Sequence, residues 1–349
     1  KTLKCPNGIV LGTPGSGKSF FAKREMANAF FATNDHILIL DPENEYTALT
    51  EQLHGQTIYL APDSHSYLNP MDLDLSTDVG ESPMLMQADF LLSQCELMMA
   101  SYGNPLMPIE KSLIDRCISL VYRDYLKNPR PENMPVLGDL YQCLREQHNS
   151  RADDLATAME IYVTGSLSYL NHRTNVDLNN RMVCYNTSKL GQGLKKLVMS
   201  NVQKHIWQRT AVNRYAGITT RIFLDEFHLL LKEPQTAAYT AEIYKRFRKW
   251  NGIPTSLTQN VKDLLDSSEI ENILENSDFV LMLNQGASDR NILAQRLGIS
   301  PQELSHVTNS SEGEGLLFFG DKIIPFEDKF PRDTQLYRVM TTKPSDLAA

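Results

Sequence analysis

Long uncharged apolar runs are missing: nothing in the 349 residues approaches the roughly 18 that a membrane-spanning helix requires. No secretory signal peptide is visible at the start. The five cysteines, Cys5, Cys95, Cys117, Cys143 and Cys184, are dispersed, with no C-x-x-C pair. That speaks against a disulfide framework or a zinc ribbon and fits a reducing cytoplasm. Positive charge is in short supply, with 34 Lys and Arg against 42 Asp and Glu and a net charge of −8. A constitutive nucleic-acid coat protein is therefore disfavoured, although a local basic patch or a charged channel stays open. Eight histidines show no metal-ligand spacing, and no G-x-S-x-G elbow occurs. Gly191-Gln-Gly193 lacks the third glycine of a dinucleotide loop. Asn186-Thr-Ser and Asn309-Ser-Ser fit the glycosylation sequon but are inert in a cytoplasmic protein. There is no low-complexity tract, and 42% hydrophobic with 22% charged residues is a globular composition large enough for one or two domains.

What is present starts at residue 9. Ile9-Val10-Leu11 reads as a buried strand, and Gly12-Thr13-Pro14-Gly15-Ser16-Gly17-Lys18-Ser19 matches G-x-x-x-x-G-K-[ST], the Walker A phosphate loop. Phe20 to Ala32 follows with apolar residues at helical spacing, Ala22, Met26, Ala29 and Phe30. Strand, glycine-rich loop and helix form the context the motif needs. Glycines let backbone N–H groups approach phosphates, and the helix N-terminus adds positive charge there. Gly12 to Phe20 are thus the candidate nucleotide-binding residues. Lys18 is expected on the β- and γ-phosphates and the Ser19 hydroxyl on Mg²⁺.

Further along, His36-Ile-Leu-Ile-Leu40 and Thr57-Ile-Tyr-Leu-Ala61 read as strands, the first running into Asp41-Pro-Glu-Asn-Glu-Tyr46. From about 80 to 175 helical spacing takes over. The stripes are Ala88-Leu91-Leu92-Cys95-Met98-Met99, Leu113-Cys117-Leu120-Val121, Val136-Leu140-Cys143-Leu144 and Leu155-Met159-Tyr162-Val163. The methionines fit core packing better than a partner groove. Strands return at Arg181–Tyr185, Ile222–Glu226, Thr255–Gln259 and Phe279–Leu283, with helices near 194–208 and 237–250. A capping box stands at Ser300-Pro-Gln-Glu303, and a hairpin at Leu316–Ile324 turns on Gly320-Asp321. The alternation predicts an α/β three-layer sandwich, with residues 1–75 and 176–349 as the core and 76–175 as an all-helical insertion.

Ile222-Phe-Leu-Asp225-Glu226 is an apolar strand ending in two carboxylates, the Walker B pattern. Neighbours in a strand point to opposite sides, so the two take different tasks. Asp225 is expected to hold Mg²⁺ with Ser19, and Glu226 to act as general base on the attacking water. Gln259, ending the next strand, is the candidate γ-phosphate sensor. His228 has no partner in view. A trans-acting arginine is expected from Arg246, Arg248, Arg290 or Arg296, with Arg248 favoured for its neighbour Lys249.

In order along the chain stand Asn7-Gly-Ile-Val-Leu-Gly-Thr-Pro-Gly-Ser-Gly-Lys-Ser-Phe20, Asp41-Pro-Glu-Asn-Glu-Tyr46, Leu68-Asn-Pro70, Leu224-Asp-Glu-Phe-His228, Arg248-Lys-Trp-Asn251, Thr258-Gln-Asn260 and Gly313-Glu-Gly-Leu316. This set resembles the carboxy-terminal ATPase domain of the VirB/TraC/TrbE-like ATPases of type IV secretion and conjugation, in the HerA–FtsK superfamily. The resemblance spans essentially the whole chain. It implies a RecA-like P-loop fold with a helical appendage, ATP and Mg²⁺ as ligands, and hydrolysis that drives pilus biogenesis or substrate transfer. It also implies homo-hexamers for the full-length protein, while this stretch alone can be monomeric. Docking is implied on inner-membrane secretion components at the cytoplasmic face of the bacterial membrane, through partners or an amino-terminal part. It places the Walker lysine on Lys18, the carboxylates on Asp225 and Glu226, and the sensor on Gln259. It leaves Asp41, Glu43 and Glu45 bracing either the site or a subunit interface. The first strand begins so early that an upstream region is expected. Two alternatives stand beside this reading: a DNA-translocating ATPase of the coupling-protein or HerA type, and a nucleotide-gated assembly module of a secretion channel.

Overall fold

Residues 9–11, 37–40 and 222–224 are apolar at successive positions and lie in strands covered on both faces. The computed structural model describes residues 3–75, 82–100, 106–259, 261, 264, 269–343 and 346. The expected Asn260 of the Thr258-Gln-Asn motif lies outside the described residues.

The elements in chain order are β1 (Gly8–Leu11), α1 (Lys18–Ala32), β2 (His36–Asp41), α2 (Thr47–Gln52), β3 (Gln56–Tyr59), α3 (Pro83–Ala100), α4 (Pro108–Val121), α5 (Arg123–Lys127), α6 (Leu137–Arg145), α7 (Ser150–Val163), β4 (Met182–Asn186), α8 (Gln192–Tyr215), β5 (Thr220–Leu224), α9 (Pro234–Phe247), β6 (Gly252–Thr258), β7 (Phe279–Met282), β8 (Glu314–Phe319) and β9 (Lys322–Glu327). Short helices follow β6, β7 and β9, the last of them Gln335–Met340.

Two compact units result. The first comprises residues 1–57, 178–186 and 212–349. Its mixed sheet of nine strands has the order β3-β4-β2-β5-β6-β1-β7-β8-β9, β3 entering the unit with its first two residues. β4, β2, β5, β6, β1 and β7 run parallel. β8 and β9 form the antiparallel hairpin expected from Gly320-Asp321. Strand alternation places Val10, Ile37, Ile39, Phe223, Leu257 and Leu281 on one face, packed against Ala22, Met26 and Ala29 of α1. On the other, α9 lies along β6, and the buried Tyr244 hydroxyl is within hydrogen-bond distance of Gly8 O at 3.0 Å and Ser256 Oγ at 2.6 Å. Burying each large aliphatic side chain contributes about 1.5–3 kcal/mol. This central layer is what holds the loops at the strand ends in place.

The second unit comprises residues 58–177 and 187–211. It is helical, as the spacing predicts, and wider than residues 76–175. It takes in the Leu68–Asp72 segment because Asn201 and Lys204 on α8 bond that segment's carbonyls. Met98, Met99, Leu155, Met159 and Tyr162 are buried, so the methionines serve the core. On α4 the buried face is Leu113, Ile114, Cys117 and Ile118, and Leu120 turns outward at 41% exposure. Leu113 and Cys117 of the expected stripe thus lie on the buried face, and Leu120 does not.

Candidate functional site

The phosphate loop leaves β1 at Leu11 and turns into α1. A Cβ on Gly12 would stand 2.4 Å from Ser16 Oγ and 3.0 Å from Leu283 Cβ, so no larger residue fits. Gly17, at φ 102, occupies backbone that L side chains rarely adopt. Ser16 Oγ donates to Thr13 O at 2.7 Å, and Thr13 N donates to Asn284 O at 2.9 Å, pinning the loop to the end of β7. Gly12, Thr13 and Ser16 shape the loop from behind, while Pro14, Gly15, Gly17, Lys18, Ser19 and Phe20 line a cavity of about 840 Å³. No side chain caps α1, which leaves the first amides of a 15-residue helix free for an anion. Lys18 Nζ donates to Gly12 O at 2.8 Å and Thr13 O at 3.1 Å. Burial lowers its pKa, opposed by the charges of Glu226, Asp225 and Glu45.

The carboxylates Asp225 and Glu226 line the same cavity. The strand alternation expected to separate them does not apply, because β5 ends at Leu224 and Glu226 turns left-handed at φ 44. A non-glycine residue held there costs about 1–3 kcal/mol, a strain that recurs at functional sites. Burial, and next the charge of Glu45, push Asp225 up to about 8. A divalent cation beside it would reverse that. Gln259 also lines the cavity, and its Nε2 donates to Glu226 Oε1 at 2.6 Å. His228, unpartnered in the sequence, has Nδ1 3.2 Å from Glu226 Oε2.

Asp41 does not reach the cavity. It is fully buried and accepts Glu45 N and Tyr46 N, each at 3.0 Å, which fixes the turn that puts Glu43 and Glu45 on the cavity wall. Below this turn the buried Lys23 donates to Met340 O at 3.0 Å and stands 5.6 Å over the Tyr46 ring.

The opposite wall is one that sequence reasoning missed. It comes from residues 311–314 and from the segment after β9: Phe330, Arg332, Tyr337 and Lys343 among others. Gly313, at φ 74, lets the chain pass so closely that a Cβ there would meet Asp328 O at 2.5 Å. Phe20 packs with ring centroids 5.7 Å from Phe330 and 5.4 Å from Tyr337. Arg24 pairs with Asp328, and Lys343 with Glu312. The signals were Gly313-Glu-Gly-Leu316, a motif with no place assigned in the site, and the mixed basic and aromatic stretch Lys329-Phe-Pro-Arg332.

None of the four candidate arginines lines the cavity of its own chain. Arg246 pairs with Glu242 at 2.7 Å, and Arg296 with Glu271. Arg248 is exposed, with Nη1 3.2 Å from Cys5 Sγ, and Arg290 lies in the helix Ala287–Leu297.

Among the described residues, no group of three or more His, Cys, Asp or Glu side chains converges as a metal cage. One hydroxyl and one carboxylate, Ser19 and Asp225, are instead the hard-oxygen donors that suit Mg²⁺ shared with phosphates. Uncapped amides, two positive-φ glycines and this donor pair all fit a magnesium nucleotide. The molecule is of the P-loop nucleoside triphosphatase class.

The chain belongs to the TraG P-loop domain family, whose model matches residues 2–312. No curated protein matches it in sequence. Its fold is similar to that of VirB4 of Thermoanaerobacter pseudethanolicus, with TM-score 0.82 and 23% identity over 98% of this chain and 90% of that one. The bacterial conjugative coupling protein TrwB is similar at TM-score 0.63 and 14% identity, covering 94% of this chain and 86% of that one. TrwB in complex with ADP and Mg²⁺ matches at 0.63 and 14%, covering 95% and 88%. The RecA-like fold and the resemblance to secretion and conjugation ATPases expected from the sequence are borne out.

Proposed function

We propose that the chain binds ATP with Mg²⁺ and hydrolyses it to ADP and phosphate, and that this powers a type IV secretion or conjugation system, in pilus biogenesis or substrate transfer. The observation that carries the reading is the meeting of Lys18, Ser19, Asp225, Glu226 and Gln259 in one cavity. The loop amides and Lys18 bind phosphates, Lys18 exchanging the carbonyls of Gly12 and Thr13 for phosphate oxygens. Ser19 and Asp225 hold Mg²⁺, which when bound neutralises charge on the phosphate oxygens. Glu226 takes the proton of the attacking water, and Gln259, already bonded to it, couples the γ-phosphate to that carboxylate. Asp41 keeps Glu43 and Glu45 on the wall.

The exposed Arg248 is proposed to complete a neighbour's site in a hexamer, since none of the candidate arginines serves its own. No helix among the described residues is long and apolar enough to cross a membrane. Work at the cytoplasmic face therefore rests on partners of the secretion apparatus or on other parts of the protein.

Lys18→Ala is expected to abolish ATP binding, whereas Glu226→Gln binds ATP and barely turns over. Calorimetry and phosphate release measure both. Equal turnover in the two variants would sink the role assignment, and a rate strongly stimulated by DNA would move the reading to a translocase.

A further inference from the structure

We propose that His228 is a positioning residue that grips the second oxygen of the Glu226 carboxylate, so that Gln259 and His228 together set where the base points. The proposal rests on the reading of Glu226 as general base. After the left-handed turn at Glu226, the chain winds into a short 3₁₀ turn, Phe227–Leu231, closed by Leu229 N donating to Glu226 O at 2.9 Å. That turn brings the imidazole back under the carboxylate, where both side chains are about nine-tenths buried, at 13% and 12% exposure.

The two carboxylate oxygens are unequal. Oε1 accepts the Gln259 amide at 2.6 Å. Among the described residues Oε2 is buried with no aligned hydrogen bond, while His228 Nδ1 stands 3.2 Å away. Leaving such an oxygen unpaired is costly, and catalytic hydrogen bonds commonly align only when substrate arrives. Nδ1 also lies 3.4 Å from Thr258 Oγ1. A ring nitrogen carries either a hydrogen or a lone pair. With hydrogen on Nδ1 the ring serves Glu226. With a bare Nδ1 it accepts from Thr258, and Oε2 is left alone. The two contacts on the carboxylate, Gln259 at Oε1 and His228 at Oε2, are the ones that set its aim.

The test compares His228→Asn, His228→Gln and His228→Phe with the wild-type chain and with Glu226→Gln. An Asn amide reaches the Nδ1 position, a Gln amide the Nε2 position, and Phe keeps only the ring. In Phe and Gln variants kcat should fall about tenfold to a hundredfold, the scale of a misaimed catalytic group. ATP affinity and KM should stay within about twofold, and Asn should restore kcat to within about threefold of wild type. The ring ¹⁵N shifts of His228 in the wild-type chain should report hydrogen on Nδ1. A bare Nδ1, or equal kcat in the Asn and Gln variants, overturns the proposal; the Asn–Gln pair decides even when the Phe variant is insoluble. Should Glu226→Gln keep full turnover, the general-base reading itself falls. Should Glu226→Gln be inactive while His228→Phe is not, only the positioning role falls.

Discussion

Two buried lysines, Lys18 in the sheet unit and Lys204 in the helical unit, hold nearly the same local arrangement. Lys18 Nζ donates to Gly12 O and Thr13 O of one irregular segment. Lys204 Nζ donates to Pro70 O at 2.9 Å and Asp72 O at 2.6 Å of another. The difference lies in what surrounds each segment. Around Leu68–Leu73 the polar groups are taken up by side chains. Asn201 donates to Leu68 O, Gln87 to Pro70 O, Tyr122 to Met71 O and Tyr125 to Leu73 O. Asn69 itself bridges Pro135 O and Met71 N. The phosphate loop leaves its helix-start amides unspent beside an open cavity. A lysine over two carbonyls is an anchor where its neighbours are satisfied, and on the function proposed above it turns to phosphate where they are not.

The largest effect that would break this comparison comes from Lys18→Ala. It removes charge-assisted contacts worth about 1.5–3 kcal/mol each. ATP affinity by calorimetry should fall at least about a hundredfold, with the urea midpoint nearly unchanged. Lys204→Met should do the reverse. It strips a donor from Pro70 O and Asp72 O, lowers stability by about 3 kcal/mol, and leaves ATP affinity intact. Exchange of these two phenotypes would end the distinction.

The third effect is a pH slope. Burial depresses Lys204 to about 7, partly opposed by Asp72. Below that value both folded and unfolded chains are protonated, and the full penalty of the buried charge is present. Between it and the ordinary lysine value the unfolded chain binds the extra proton, so stability rises with pH. The advantage of wild type over Lys204→Met should widen from pH 7 to 9, by at most about 1.4 kcal/mol per unit. A gap that narrows would reverse the sign. The smallest effect belongs to Asp41→Asn. It keeps one acceptor and loses the other, which costs about 1–2 kcal/mol in denaturant unfolding. Because Asp41 acts through the turn, ATP affinity should weaken only about threefold.

Much of the sheet unit was legible in the sequence because its strands are continuous apolar runs and its loop carries a spelling dictated by phosphate. Lys18, Ser19, Asp225, Glu226 and Gln259 do meet in one cavity. Leu68-Asn-Pro70 was readable as a motif but not as architecture, since its partners Asn201 and Lys204 sit on a helix more than a hundred residues away. The wall formed by Phe330, Arg332 and Tyr337 has no period or spacing to announce it, and depends on the β8–β9 hairpin carrying the chain back. His228 was missed for a different reason: its approach to Glu226 requires a left-handed backbone at a glutamate, which no residue pattern signals.

The bond from Lys23 to Met340 O joins residues 317 positions apart. During synthesis the phosphate loop leaves the ribosome well ahead of the wall that faces it, which comes from residues 311–343. A partly made chain thus carries the nucleotide motif without the compartment that gives it grip. On the proposed reading of this cavity as an ATP site, a chain halted before that wall docks holds the loop but not the pocket.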